Sequence, residues 1–114
     1  MRSLQIDILN LLTDMKAMSI CELDLRQKAT FTDTLIIATG NSQRHVKAIA
    51  ENLLQCLKKQ SRVPLSIQGT RSGLWVVLDY SEVVVHLMLQ EIRDFYMLEK
   101  LWQFSESSVK PATA

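Results

Sequence analysis

Residues 73–102, GLWVVLDYSEVVVHLMLQEIRDFYMLEKLW, decide the architecture, because two apolar runs of strand length lead directly into an aromatic-rich helical pattern. Val, Leu and Trp fill positions 74–78 and Val83, Val84 and Val85 open the second run. Such β-branched and aromatic residues suit a pleated, half-buried surface. Only Ser81 and Glu82 clearly separate the two runs, and a connection that short joins antiparallel neighbours. With no Gly or Asn between them, the turn type and register stay open. Beyond the hairpin the period changes. Ile92, Phe95, Leu98 and Trp102 recur at three- and four-residue steps and share one predicted helical face, with Tyr96 and Glu99 beside it. The chain's two tryptophans, Trp75 and Trp102, both fall in this block. Tryptophans anchor many interfaces, although in an apolar strand or helix their commoner use is core filling.

Upstream, Leu4, Ile8, Leu11, Leu12 and Met15 trace a helical stripe over 3–17, with Ser3 placed as N-cap. Residues 20–25 alternate, Ile20, Glu22 and Asp24 against Cys21, Leu23 and Leu25, as in a half-buried strand whose acidic side meets water. The run 34–39 is too apolar to alternate and reads as a central strand covered on both faces. Gly40-Asn41-Ser42 ends it and caps a second helix, whose stripe is Val46, Ile49, Ala50, Leu53 and Leu57 and whose last turn carries Lys58 and Lys59. Pro64 closes that helix, and Leu65, Ile67 and Gln68-Gly69 suggest one more short strand. The order αββαβββα, with a strand–helix–strand crossover over 34–68, predicts an α/β fold: a mixed β-sheet flanked by helices. Residues 1–104 read as one domain, and SESSVKPATA at 105–114 as a disordered C-terminal tail.

A chain of 114 residues, 47% hydrophobic, can bury a core without disulfide support. Thirteen basic against 12 acidic residues give a net charge of +1, so composition supplies no global attraction to a phosphate backbone. Cys21 and Cys56 lie far apart in sequence with no CxxC pairing, as in a reducing compartment. No secretory leader is visible, and no apolar run reaches the roughly 18 residues of a membrane span. A cytoplasmic protein with no membrane partner is the expectation.

No constellation here has the density of an active site. The Gly40–Ser42 junction matches neither GxxxxGK[ST] nor GxGxxG, so capping explains it better than phosphate binding. Arg44 and His45 oppose the dipole in the first helical turn, which suits either a solvated face or a contact role. Glu22 and Asp24 could share a metal, but no third ligand follows at readable spacing. His86 shares a strand face with Val84 and Met88, with Asp79 and Tyr80 on the neighbouring strand; a satisfied, partly buried histidine is the plainer reading than a general base. Cys56 falls on the apolar stripe of the second helix and behaves as a small hydrophobe. Arg93, Asp94, Glu99 and Lys100 mix both signs as on a solvated face, yet beside Phe95, Tyr96 and Trp102 they resemble the anchor and polar rim of an interface.

Three ordered blocks, TDTLIIATGNSQRHVKAIA at 32–50, GLWVVLDYSEVVVHLM at 73–88 and FYMLEKLW at 95–102, resemble the bacterial ribosomal silencing factor, or Iojap-like, family. The likeness spans about residues 4–103. It implies a nucleotidyltransferase-like fold lacking the catalytic carboxylates, since neither the Gly40–Ser42 junction nor the strand at Leu65 and Ile67 carries an acidic pair for metal. It also implies a translational repressor, not an enzyme, without metal or cofactor. Such a protein would bind the large ribosomal subunit through its protein number fourteen and block joining of the small subunit, especially under nutrient limitation. The family's motif positions fall on Asp33, Gly40, Ser42, Arg44, His45, Trp75, Asp79, His86, Arg93, Tyr96, Glu99 and Trp102. Met97 stands where the family commonly has an acidic residue. Trp75 is the leading partner-binding residue on this reading, with Arg44, His45, Tyr96 and Trp102 behind it. Two other readings compete. One is a divergent nucleotidyltransferase-like, nucleotide-binding domain using the Gly40–Ser42 turn with Glu22 and Asp24. The other is direct RNA binding through Arg44, Lys47, Lys58, Lys59, Arg62 and Arg71, which the near-neutral charge disfavours. An exposed sheet edge would add the possibility of a homodimer.

Overall fold

Ser3 accepts a hydrogen bond from the Ile6 N–H and opens α1 (Leu4–Asp14), as its place before the apolar stripe predicts. The computed structural model describes residues 3–25, 33–96 and 109–111 of the chain. Helix α1 ends one turn earlier than its stripe suggests. Lys16 adopts φ +61°, and the N–H groups of Lys16 and Ala17 return to the carbonyls of Thr13 and Leu12.

The remaining elements are β1 (Met18–Asp24), β2 (Thr34–Gly40), α2 (Gln43–Lys58), β3 (Ser66–Gln68), β4 (Trp75–Asp79), β5 (Val83–Leu89), α3 (Gln90–Tyr96) and β6 (Val109–Pro111). They build a six-stranded mixed sheet in the order β3-β4-β5-β2-β1-β6. The β2–β5 pair is parallel and every other pair antiparallel. Strand β2 is buried along its whole length, as its unbroken apolar run requires. After α2 the chain reaches the far edge of the sheet at β3 and works back inward through the hairpin, so β5 closes on β2.

Two apolar layers result. On one face Ile8, Leu12, Ile49 and Leu53 of α1 and α2 pack on Ile36, Val76, Leu78 and Leu87. Under the other face lie Leu23, Leu35, Ile37, Val84 and Met88, with Trp75, Val77 and Ile92 packed against them.

Several expectations change. Glu22 and Asp24 are half-buried, not open to water, because their side of β1 is the side that faces the helices. Cys56 sits at the edge of the α2 stripe, half-buried, with its thiol directed at Asn52 Oδ1. Of the segment expected to be a disordered tail, Val109–Pro111 pair with Cys21–Leu23 as an edge strand, and its other residues lie outside the described ones. Of the last helix, Gln90–Tyr96 are described, whereas Leu98, Glu99 and Trp102 fall outside. No helix among the described residues is long and apolar enough to cross a membrane.

Candidate partner-binding face

The β4–β5 hairpin carries the candidate site. Val76 and Leu78 point into the helix-covered core, which turns Trp75, Val77 and Asp79 toward the opposite face, where all three are half-buried. Two glycines fix where β4 starts. Gly69 and Gly73 have φ of +83° and +74°, and a Cβ on Gly73 would stand 2.6 Å from the Gln43 carbonyl oxygen. Gln43 Nε2 also donates to the Ser72 carbonyl at 2.8 Å, so the first turn of α2 holds the loop that delivers Trp75. At the other end of the hairpin, Glu82 N–H returns to the Tyr80 carbonyl around Ser81 at φ +74°, a γ-turn. The Asp79 carboxylate accepts the Ser81 N–H at 2.8 Å, which leaves Asp79 serving the turn.

Trp75 pairs across the sheet with Met88, and Val77 with His86, so Trp75 and His86 are diagonal neighbours on one face. The indole N–H donates to His86 Nδ1 at 2.8 Å, with ring centroids 5.8 Å apart and planes tilted by 45°. Burial lowers the His86 pKa to about 4. An Nδ1 that accepts must keep its lone pair, so this imidazole is neutral with its proton on Nε2.

Helix α3 covers part of this face, in a register the apolar spacing did not predict. Arg93, expected on a solvated surface, is 5% exposed and donates to the Ser19 carbonyl at 2.6 Å and to Thr39 Oγ1 at 2.7 Å. Ser19 sits at φ +48° in the irregular register between Met18 and Cys21, which aims its carbonyl at the guanidinium. With Ile92 and Arg93 inward, Phe95 is rotated outward and is 78% exposed, rather than sharing the face of Ile92.

The other expected site residues take different places. Ser42 caps α2 by accepting the His45 N–H at 3.0 Å. His45 has both ring nitrogens engaged within the chain: Nδ1 accepts the Asn41 N–H at 2.9 Å and Nε2 donates to the Met15 carbonyl at 2.8 Å, tying the end of α1 to the start of α2. Arg44 is exposed beside it. Helix α2 lies on the opposite side of the sheet from Trp75, so Arg44 and His45 do not share its face. The Tyr96 side chain and all of Trp102 lie outside the described residues. Asp33 works through its backbone, accepting from Leu25 and donating to Glu82. Sequence reasoning missed the Trp75–His86 bond, because only the hairpin register makes these positions diagonal and the turn residues leave that register open.

The geometry also separates the parts of the nucleotidyltransferase-like site. Asp24 pairs with Thr34 and Glu22 with Ile36, whereas Gly40 is at the far end of β2, about 20 Å from Thr34 at the rise of an extended strand. Among the described residues no group of three His, Cys, Asp or Glu side chains could hold a metal. A cavity of about 280 Å³ between α2 and β3 is lined by Lys47, Ala50, Glu51, Leu54, Ile67 and Thr70, with one carboxylate among them.

Residues 1–113 match the family described as "Ribosomal silencing factor during starvation". The chain belongs to this family. A ribosomal silencing factor of Haemophilus influenzae is 37% identical over 95 residues, covering 83% of this chain and 93% of its own. The mouse protein named "Mitochondrial assembly of ribosomal large subunit protein 1" is 37% identical over 98 residues, 83% of this chain and 43% of its own. A crystal structure of a Chromobacterium violaceum protein superposes with a TM-score of 0.85 at 34% identity, covering 97% of this chain and 91% of that one. The α/β sheet described above is thus the architecture of a ribosomal silencing factor.

Proposed function

We propose that this protein is a cytoplasmic translational repressor that binds the large ribosomal subunit at its protein number fourteen and sterically blocks joining of the small subunit when nutrients are scarce. The observation that carries this reading is the face of the β4–β5 hairpin, where a hydrogen-bonded tryptophan stands half-buried on the face that α3 partly covers, with Phe95 of α3 turned outward. Rigid aromatic side chains of this kind dominate protein interfaces. Family membership directs the face toward the ribosome, and the name of the mouse relative points to the large subunit. Occlusion needs no reacting group, only an interface large enough to compete with the contacts that join the subunits. The mechanism therefore uses the outline of a nucleotidyltransferase-like fold for binding, without catalytic carboxylates.

Sedimentation of the purified protein with isolated large and small subunits tests the proposal. Co-migration with the large subunit alone, together with loss of subunit joining, is the expected result. Free protein and normal joining would overturn it.

A further inference from the structure

Strand β5 reads VVVHLML, so His86 is its one polar side chain in an otherwise aliphatic run. An apolar residue would suit that position, because desolvating an imidazole disfavours folding. What accompanies the burial is a single hydrogen bond among the described residues, and it goes to Trp75. The bond does not serve catalysis: Nδ1 is occupied by the indole, and the nearby Asp79 carboxylate is held by the Ser81 N–H. It does constrain the anchor. Trp75 packs at the margin of the layer of Leu23, Leu35, Ile37, Val84 and Met88 and is half-buried. A directional bond across the strands narrows the rotamers open to an indole, and ordering a side chain in advance lowers the entropic cost of association.

We propose that His86 is a positioning residue that holds the Trp75 indole in the orientation in which it meets the partner, through the Nε1–H to Nδ1 bond. This rests on the subunit-binding reading above, with Trp75 as its anchor. His86 acts through Trp75 and not through contacts of its own.

The test is a set of full-length variants: His86→Leu, His86→Asn, Trp75→Phe and the Trp75→Phe/His86→Leu pair. Each is measured for affinity toward purified large subunits, for thermal unfolding and for its indole ¹H–¹⁵N resonances, with the Trp75 signal assigned by its loss in Trp75→Phe. An Asn side-chain carbonyl can take the place of Nδ1 as acceptor, Leu cannot, and Phe keeps an aromatic ring without the N–H. His86→Leu is expected to weaken binding about tenfold, the effect of roughly one hydrogen bond, and to shift the Trp75 indole proton toward its free position. His86→Asn restores both, and in the Trp75→Phe background His86→Leu has no further effect on affinity. Wild-type affinity in folded His86→Leu overturns the inference, as does an unchanged penalty for His86→Leu once the indole N–H is gone. Should His86→Leu fail to fold, His86→Asn decides: wild-type affinity with a bonded indole resonance supports the role, and a tenfold loss despite a bonded indole overturns it. Failure of the wild-type protein to bind subunits would sink the functional reading and this role with it, whereas an unbonded Trp75 resonance in a protein that does bind would sink the positioning role alone.

Discussion

On the side of the sheet where α1 and α2 lie, Ile8, Leu12, Ile49, Leu53, Val76 and Leu78 are closed off from water. On the opposite side the β4 residues Trp75, Val77 and Asp79 remain half-exposed, and polar groups do the holding: His86 accepts from an indole, and Arg93 donates to a carbonyl and a hydroxyl. The same strands supply both layers, alternating residue by residue. Cover therefore distinguishes the two faces, and the partner surface proposed above is the side on which Trp75 stays half-exposed.

The largest effect should come from the closed side. Leu53→Ala, fully buried in α2, is expected to cost about 3 kcal/mol in urea unfolding while affinity per folded molecule stays unchanged. A change at Leu53 that altered affinity without destabilising the protein would break the division of labour between the faces.

An effect of similar size belongs to the open side and depends on pH. The His86 pKa is lowered to about 4 in the folded protein, against 6.5 for the free side chain. Above pH 6.5 both folded and unfolded chains hold the neutral ring, and the group adds no pH dependence. Between pH 6.5 and 4 the unfolded chain takes up a proton that the native protein declines. Stability should therefore fall with acid by about 3 kcal/mol across that window and level off below it. Subtracting the same curve for His86→Asn, which has no ring to titrate, isolates this contribution from that of the carboxylates. Equal slopes in the two proteins would remove His86 as the cause.

Trp75→Ala sharpens the contrast from the other direction. A half-buried ring at the margin of its layer should cost about 1–2 kcal/mol of stability, yet subunit affinity should drop more than tenfold. A folded Trp75→Ala protein with wild-type affinity would strip the open face of its anchor. The smallest effect is expected at the hairpin turn. Ser81 adopts φ +74°, a conformation glycine accepts freely, so Ser81→Gly should raise stability by roughly 0.5 kcal/mol or leave it unchanged, and should leave binding untouched.

The sequence made the frame legible wherever one period ran without interruption. The α2 stripe and the buried run of β2 each have a single physical solution, the short connection dictates an antiparallel hairpin though not its register, and Ser3 and Ser42 both cap as their positions predict. Legibility failed where a polar residue does the work of an apolar one. Arg93 looked solvated because charge pattern cannot show that a carbonyl from a β1 irregularity waits across the sheet. His45 looked like a contact residue because nothing local shows that the carbonyl ending α1 lies against its ring. Of the candidate site, Trp75 lies on the open face, but its bond to His86 depends on the observed register, which sets Trp75, rather than Asp79 or Tyr80, against the imidazole.

The parallel pairing of β2 with β5 also governs how the chain must assemble. Each rung, from Thr34 with Val83 to Gly40 with Leu89, joins positions about fifty residues apart, and such long-range closure slows folding relative to local hairpins. During synthesis β2, buried along its whole length in the folded protein, has left the ribosome before its inner neighbour has been made. Until β5 follows, β2 has an unpaired edge of the kind that recruits chaperones or other chains, so a factor proposed to restrain translation is itself exposed to the pace at which its own last third is translated.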